Sequence, residues 1–182
     1  MRKRKKGERI YVGCAGWTIP SSQASLFPEG SSHLERYSKV FFAVEVNSSF
    51  YRSHKPAVYK RWAESVPVGF RFAVKAHRVI THIKRLRNAE DSVKQILEEA
   101  QNLGNKLGPL LFQLPPSLRF DPEITASFFE LLRQQYPGPV ACEPRHASWF
   151  DSEPERILKS FQIARVAADP WIHPIGNRPG GI

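Results

Sequence analysis

Val44-Glu45-Val46-Asn47-Ser48-Ser49-Phe50-Tyr51 and Val140-Ala141-Cys142-Glu143-Pro144-Arg145-His146 are the stretches that decide the fold. Each opens as a short apolar strand and turns polar at its last residues. Successive side chains of a strand point to opposite faces. Ala43, Glu45 and Asn47 therefore share one face of the first strand, and Ala141, Glu143 and Arg145 share one face of the second. The same small-then-charged order recurs as Ala73, Lys75 and His77, and again as Ala167 and Asp169. Parallel strands that all end this way predict a sheet whose C-terminal strand ends converge on one polar mouth.

Outward from these two segments, strands are expected over residues 9–17, 70–75, 107–114 and 163–169, with the quoted pair at 41–47 and 140–145. Helices fall between them. One starts near Ser32 with Leu34, Tyr37 and Val40 as its apolar positions; the next starts at Pro56, with Val58 and Trp62 as an i,i+4 pair. Residues 91–103 carry Val93, Ile96, Leu97, Ala100 and Leu103 in helical period. Asp121-Pro122 reads as an N-cap and first residue, and Ser152 to Glu155 has capping-box spacing. Strand and helix alternate throughout, which implies βα units on a parallel sheet. A doubly wound sheet would carry a glycine-rich phosphate turn after its first strand, and Gly13, Gly16 and Trp17 do not make one. The expected fold class is therefore α/β, a TIM-type (β/α) barrel whose chemistry sits at the strand C-termini. Six strands are legible where such a barrel takes eight.

The domain is expected over residues 9–182, with residues 1–8 as a basic disordered tail. A hydrophobic content of 41% excludes wholesale disorder, and 182 residues suit one domain. The net charge is +10, but Arg2, Lys3, Arg4, Lys5 and Lys6 supply five of those charges. The remaining +5 fits a phosphate-bearing partner and an ordinary solvated surface equally well. Cys14 and Cys142 are too few for a disulfide framework and read as buried free thiols. No apolar run approaches the roughly 20 residues of a membrane span, and the apolar stretch 10–15, broken by Gly13, is too short for a signal peptide. A cytoplasmic protein that does not engage membranes is expected.

Several ordered segments carry a resemblance. They are Gly13-Cys14-Ala15-Gly16-Trp17, Phe27-Pro28-Glu29-Gly30, the Val44 to Tyr51 stretch, and Phe70-Arg71-Phe72-Ala73-Val74-Lys75-Ala76. Thr81-His82-Ile83-Lys84-Arg85-Leu86, Leu107-Gly108-Pro109-Leu110-Leu111-Phe112-Gln113-Leu114-Pro115-Pro116, the Glu143 to Trp149 stretch and Ala168-Asp169-Pro170 complete the set. Together they resemble the YecE-like family, domain of unknown function 72. The resemblance implies a TIM-type barrel without an established activity, similar in fold to endonuclease IV and xylose isomerase-like enzymes. Two departures stand out: Pro144 replaces a frequent aromatic residue, and the chain stops after Gly180-Gly181, before the last two barrel strands of the family.

Neighbouring strands lie about 4.8 Å apart, so Gln113, Glu143 and Asp169 are expected side by side along the mouth. Two carboxylates at that range do not both ionise freely, which makes one a candidate general acid or base; Arg145 opposes the shift. Glu143 leads as the catalytic residue, with Glu45 second and Asp169 as coupled partner or metal ligand. Lys75, Arg85 and Arg145 would stabilise anionic oxygens, and Asn47 and Gln113 would orient the substrate. His82 would bind phosphate or move a proton, His146 would reach the mouth, and Trp17 and Tyr51 would supply stacking surfaces. The competing reading makes the charged set buried ion pairs that fix strand register. Metal spacing such as HExxH or CxxC is absent; a divalent ion held by Glu143, Asp169 and His82 across strands is compatible with a barrel but unsupported by spacing. Cofactor and enzymatic status stay open.

The favoured function is acid/base chemistry on a phosphate-bearing small molecule or nucleic acid. One alternative is a noncatalytic nucleic-acid binder using the basic segment from Arg78 to Arg87; another is a metabolic barrel for a sugar or small acid. Phosphate-backbone binding would show a steep salt dependence. Finally, strands one and six would be left as apolar edges by Ile10, Val12, Ile163 and Val166. The chain is thus expected to be an incomplete version of a longer protein, an open barrel segment that oligomerises through its edges.

Overall fold

The computed structural model describes residues 10–169. The basic tail expected over residues 1–8 and the Pro/Gly-rich stretch 170–182 lie outside the described residues. Strands β1 (Gly13–Ala15), β2 (Ala43–Val46), β3 (Arg71–Lys75), β4 (Leu107–Gln113), β5 (Val140–Glu143) and β6 (Ala164–Arg165) form one sheet in the order β1-β2-β3-β4-β5-β6. Every pairing is parallel. Helices α1 (His33–Ser38), α2 (Pro56–Glu64), α3 (Glu90–Ala100), α4 (Pro122–Gln135) and α5 (Ser152–Ser160) provide the crossovers. The strand order never reverses, so the sheet has no doubly wound switch point. Crossovers of one hand that always step to the next strand put the helices on a single face. The result is an α/β fold of TIM-like type. Among the described residues β1 and β6 are each bonded on one side only, and the sheet is not closed.

Burial follows the strand period. Val44, Val46, Phe72, Val74, Leu110, Phe112, Val140 and Cys142 are buried in the core shared with the helices. Their alternates Ala43, Glu45, Ala73, Lys75, Gln113 and Ala141 are half-buried and line the other face. That division places the charged strand ends away from the main apolar core. Cys142 is fully buried, and burial pushes its thiol up. Cys14, expected to be buried, is exposed on β1. At this edge Ile10 and Val12 remain 57% and 60% exposed, whereas Ile163 on the opposite side is buried under α5.

Local signals explain most boundaries. Ser32 caps α1 by accepting from Glu35 N (3.1 Å), and Asp121 caps α4 by accepting from Ile124 N (3.0 Å). Pro56 is the first residue of α2, as its missing N–H allows. Val58 and Trp62 on α2 are both half-buried, beside the fully buried Tyr59. Two readings need correction. Asp151 occupies the N-cap of α5 without a side-chain bond, so Ser152 lies inside the helix and the capping box is not formed. β1 and β6 are also shorter than expected, because the residues flanking them make few ladder bonds.

The first strand is held by Tyr37. Its hydroxyl accepts from Cys14 N (2.7 Å) and donates to the Ala43 carbonyl (2.9 Å), and burial pushes the phenol up to about 12. Gly13 belongs to the same clamp, since a Cβ there would overlap the Ala43 carbonyl. At the other end of the sheet, Arg133 holds two turns at once. Its Nε donates to Phe161 O (2.7 Å), its Nη1 to Gly138 O (2.7 Å) and Tyr136 O (3.1 Å), and its Nη2 to Gln162 O (2.8 Å). These carbonyls precede β5 and β6, so one guanidinium fixes both strand entries. Arg133→Ala is expected to destabilise the fold by about 2 kcal/mol or more, through orphaned carbonyls and lost charge-assisted bonds. Arg133→Lys should recover only part of this, because an ammonium cannot fork to several acceptors. Urea unfolding measures both; an alanine variant as stable as the parent contradicts the assignment.

Candidate functional site

The parallel register decides which strand-end groups meet. Gln113 lies opposite Glu143, Lys75 opposite Leu111, and Glu45 opposite Ala73. Glu143, only 8% exposed, receives Gln113 Nε2 on its Oε1 at 2.9 Å. Arg145 Nε donates to the same oxygen at 2.6 Å, and its Nη2 also contacts it. The donors from Gln113 and Arg145 converge on Oε1. Lys75 Nζ donates to Asn47 Oδ1 (3.2 Å) and stands over the Phe50 ring at 4.7 Å. Asn47 is placed for this by its own N–H, which turns back to Glu45 O (3.0 Å).

Glu45 completes the cluster. Burial pushes its carboxyl above the ordinary range; Lys75 opposes that shift and the negative charge of Glu143 reinforces it. His82 stands next to this group, edge-on to Phe50 at 4.9 Å, with Nδ1 and Thr81 Oγ1 2.8 Å apart. Burial, then Arg78 and Lys75, holds its imidazole below the usual histidine range. Glu45, Asn47, Lys75, His82, Gln113, Glu143 and Arg145 are therefore gathered in one region. The region contains a carboxyl whose charged form is disfavoured by burial, a carboxylate in an ion pair with Arg145, and an ammonium group whose charge acts on the first.

The other sequence candidates are placed elsewhere. Asp169 is exposed in a bend beyond the short β6. The negative charge that acts on Glu45 is that of Glu143, from across the sheet. No group of three or more His, Cys, Asp or Glu among the described residues is arranged to hold a metal, so Glu143, Asp169 and His82 do not assemble as such a site. Arg85 donates to Ser117 Oγ (3.1 Å) and Ser117 O (2.7 Å), tying its segment to the loop after β4. His146 Nδ1 accepts from Ser148 N (3.1 Å) in a packed corner. Trp17 packs edge-on against Trp62 at 5.0 Å, as a roof of the core, and Tyr51 is exposed against Phe50.

The basic segment after β3 is also less of a loop than its composition suggests. Residues Val79–Ile83 make a helical turn with Ile80 and Thr81 fully buried. Leu86 is buried at a positive φ of 69°, between Arg85 at 52° and the nearby Asn88 at 46°. Lys84 Nζ donates to Asn88 O (2.7 Å), and Arg87 pairs with Asp121 at 3.9 Å. These cations stabilise an unusual backbone path.

Parallel strands in sequential order, helices on one face and polar strand ends define an α/β protein of TIM-like type. The chain belongs to the protein family of unknown function DUF72, whose sequence profile matches residues 11–179. It is 29% identical over 179 residues to the UPF0759 protein YunF of Bacillus subtilis (strain 168), covering 93% of this chain and 61% of that protein. It is 32% identical over 152 residues to the UPF0759 protein YecE of Escherichia coli (strain K12), covering 82% and 53%. The chain thus spans between half and two thirds of the length of these relatives. Among solved structures, a DUF72 family protein from Enterococcus faecalis V583 matches with a TM-score of 0.75 at 22% identity, over 93% of this chain and 66% of that one. One from Thermotoga maritima MSB8 matches with a TM-score of 0.72 at 26% identity, over 90% and 68%. Among the described residues no helix is long and apolar enough to cross a membrane.

Sequence reading missed Glu99, a buried carboxylate on α3. Its signal was the polar row Ser92, Gln95 and Glu99, spaced by helical turns along a face flanking the apolar one.

The raised pKa of Glu45 has a definite consequence for stability. Its contribution is full below its unfolded value, near 4.5, and is lost as pH rises through the higher folded value. Glu45→Gln removes that loss. The variant is expected to gain stability relative to the parent as pH rises from the acid range to neutrality, measured by chemical unfolding at successive pH values. A stability difference that does not change with pH contradicts the burial of an ionisable Glu45.

Proposed function

We propose that this chain carries an acid/base site at the C-terminal strand ends of a TIM-type (β/α) barrel, acting on a small phosphate-bearing substrate. The observation that carries the reading is the division of labour between two carboxyls. Burial disfavours the charged form of Glu45, whereas Glu143 is bound by Arg145 and Gln113. A carboxyl whose pKa is displaced toward neutrality exchanges protons efficiently near the working pH. Glu45 is accordingly the general acid/base. Lys75 stabilises negative charge developing on a substrate oxygen, and Asn47 aims the ammonium group. Glu143 orients the substrate, with Arg145 and Gln113 holding its carboxylate in place.

Lys75 and the nearby Arg78 supply the positive field for a phosphate group. The basic segment supports nucleic-acid binding less well than its composition suggested. Lys84, Arg85 and Arg87 are engaged with backbone, Ser117 and Asp121.

A thermal-shift screen with phosphorylated small molecules, nucleotides included, is the entry to the substrate. Compounds that raise the parent's unfolding temperature should lose that effect in Lys75→Met. With a turned-over compound in hand, Glu45→Gln is expected to lower turnover by about 10²-fold or more, the range for removing a general acid/base. Glu143→Gln should also abolish activity while the fold persists. Full turnover by purified, folded Glu45→Gln removes it from the proton-transfer role.

A further inference from the structure

A second cavity, of about 110 Å³, lies between the segment after β2 and helix α3; Val79 and Ile96 form its apolar wall, and Ser49, Ser53, His77, Ser92, Gln95 and Glu99 supply its polar groups. We propose that it binds a small monovalent cation, either an alkali ion or a primary ammonium group, on the Glu99 carboxylate.

Glu99 is only 6% exposed, and none of the ion pairs among the described residues includes it. Its Oε1 accepts from Gln95 Nε2 (3.1 Å), and its Oε2 receives only a long bond from His54 N (3.4 Å). Buried carboxylates are otherwise paired with a cation or coordinate one. His54 does not supply that charge. Burial holds His54 below the usual histidine range, with Arg52 adding to the effect and Glu99 opposing it. Tyr59 is fully buried beside this group, its hydroxyl near the Ser49 side chain but outside full hydrogen-bonding geometry. Burial, then the charge of Glu99, pushes its phenol up, so it stays neutral.

The lining selects the class of ligand. Both amide hydrogens of Gln95 are used, one on Glu99 and one on Ser53 Oγ (2.9 Å), which leaves its carbonyl oxygen as an acceptor. The Ser49 hydroxyl spends its proton on Val46 O (2.6 Å) or Lys75 O (2.7 Å), leaving its oxygen to accept. One carboxylate with hydroxyl and amide oxygens is a hard donor set of low charge. It suits an alkali ion or an ammonium group better than a transition metal, for which softer nitrogen or sulfur ligands are preferred. Ser53 and Gln95 are exposed at the rim and give the cation its entry. Through Ser49, an occupied cavity would tether α3 to the ends of β2 and β3, where Asn47 and Lys75 begin the strand-end cluster. Its occupancy is read as stability, independently of any turnover at that cluster.

The test measures the unfolding temperature of the full chain at constant ionic strength in the chlorides of tetramethylammonium, sodium, potassium, ammonium and methylammonium. Expected is a saturable rise with at least one small cation over tetramethylammonium, which is bulky and has no N–H to donate. An alkali-only response identifies a metal ion; an ammonium and methylammonium response identifies an amine. Glu99→Gln should abolish the rise. Ser92→Ala, which removes a single hydroxyl and keeps the helix, should raise the half-saturating concentration by about fivefold, as loss of one neutral hydrogen bond implies. If Glu99→Gln does not fold, Ser92→Ala decides alone. Equal unfolding temperatures in all five salts, or a rise unchanged in the variants that fold, overturns the proposal.

Discussion

The parallel register of β2 through β5 is the constraint on which the candidate site depends. Set by apolar residues packed toward the helices, it leaves their alternates to form the opposite face. A slip of one residue would exchange the two sets and carry Glu45, Lys75 and Glu143 into the apolar layer. The energy that fixes the charged cluster therefore comes from Val44, Val46, Phe72, Val74, Phe112 and Cys142, which take no part in the chemistry. Tyr37 and Arg133 secure the ends of this arrangement, one at the β1–β2 pairing and the other at the entries to β5 and β6.

Within the cluster, identical functional groups acquire different chemistry from their surroundings. Glu143 meets a guanidinium and an amide, whereas Glu45 experiences burial and the opposing effects of Lys75 and Glu143. In the proposed reading this asymmetry assigns the acid/base role to Glu45 rather than Glu143. It also separates two structural tasks: Arg145 is committed to holding Glu143, and Lys75 provides the cation beside Glu45.

Much of this was legible in the sequence because strand alternation is local. Period-two spacing was enough to put Glu45 and Asn47 together, and to pair Gln113 with Glu143 once the strands were taken as parallel neighbours. The length of β6 was misjudged because Ala167-Ala168-Asp169 resembles the other strand ends, whereas β6 finishes at Arg165. Arg85 and His146 carried the right chemistry, but their partners, Ser117 and Ser148, are set by loop paths and positive φ angles that composition does not specify. Glu99 was hidden for the opposite reason. Beside Glu98 on a helix it reads as solvated, and only the packing of α3 against the segment after β2 buries it.

The most direct measurement of the central claim is a carbon-13 NMR titration of the Glu45 carboxyl in the parent, Glu143→Gln and Lys75→Met. Expected is a parent value above the ordinary carboxylate range, a lower value when the charge of Glu143 is removed, and a higher one when that of Lys75 is removed. A Glu45 that titrates as in an unfolded chain and responds to neither substitution would contradict a coupled site at the strand ends.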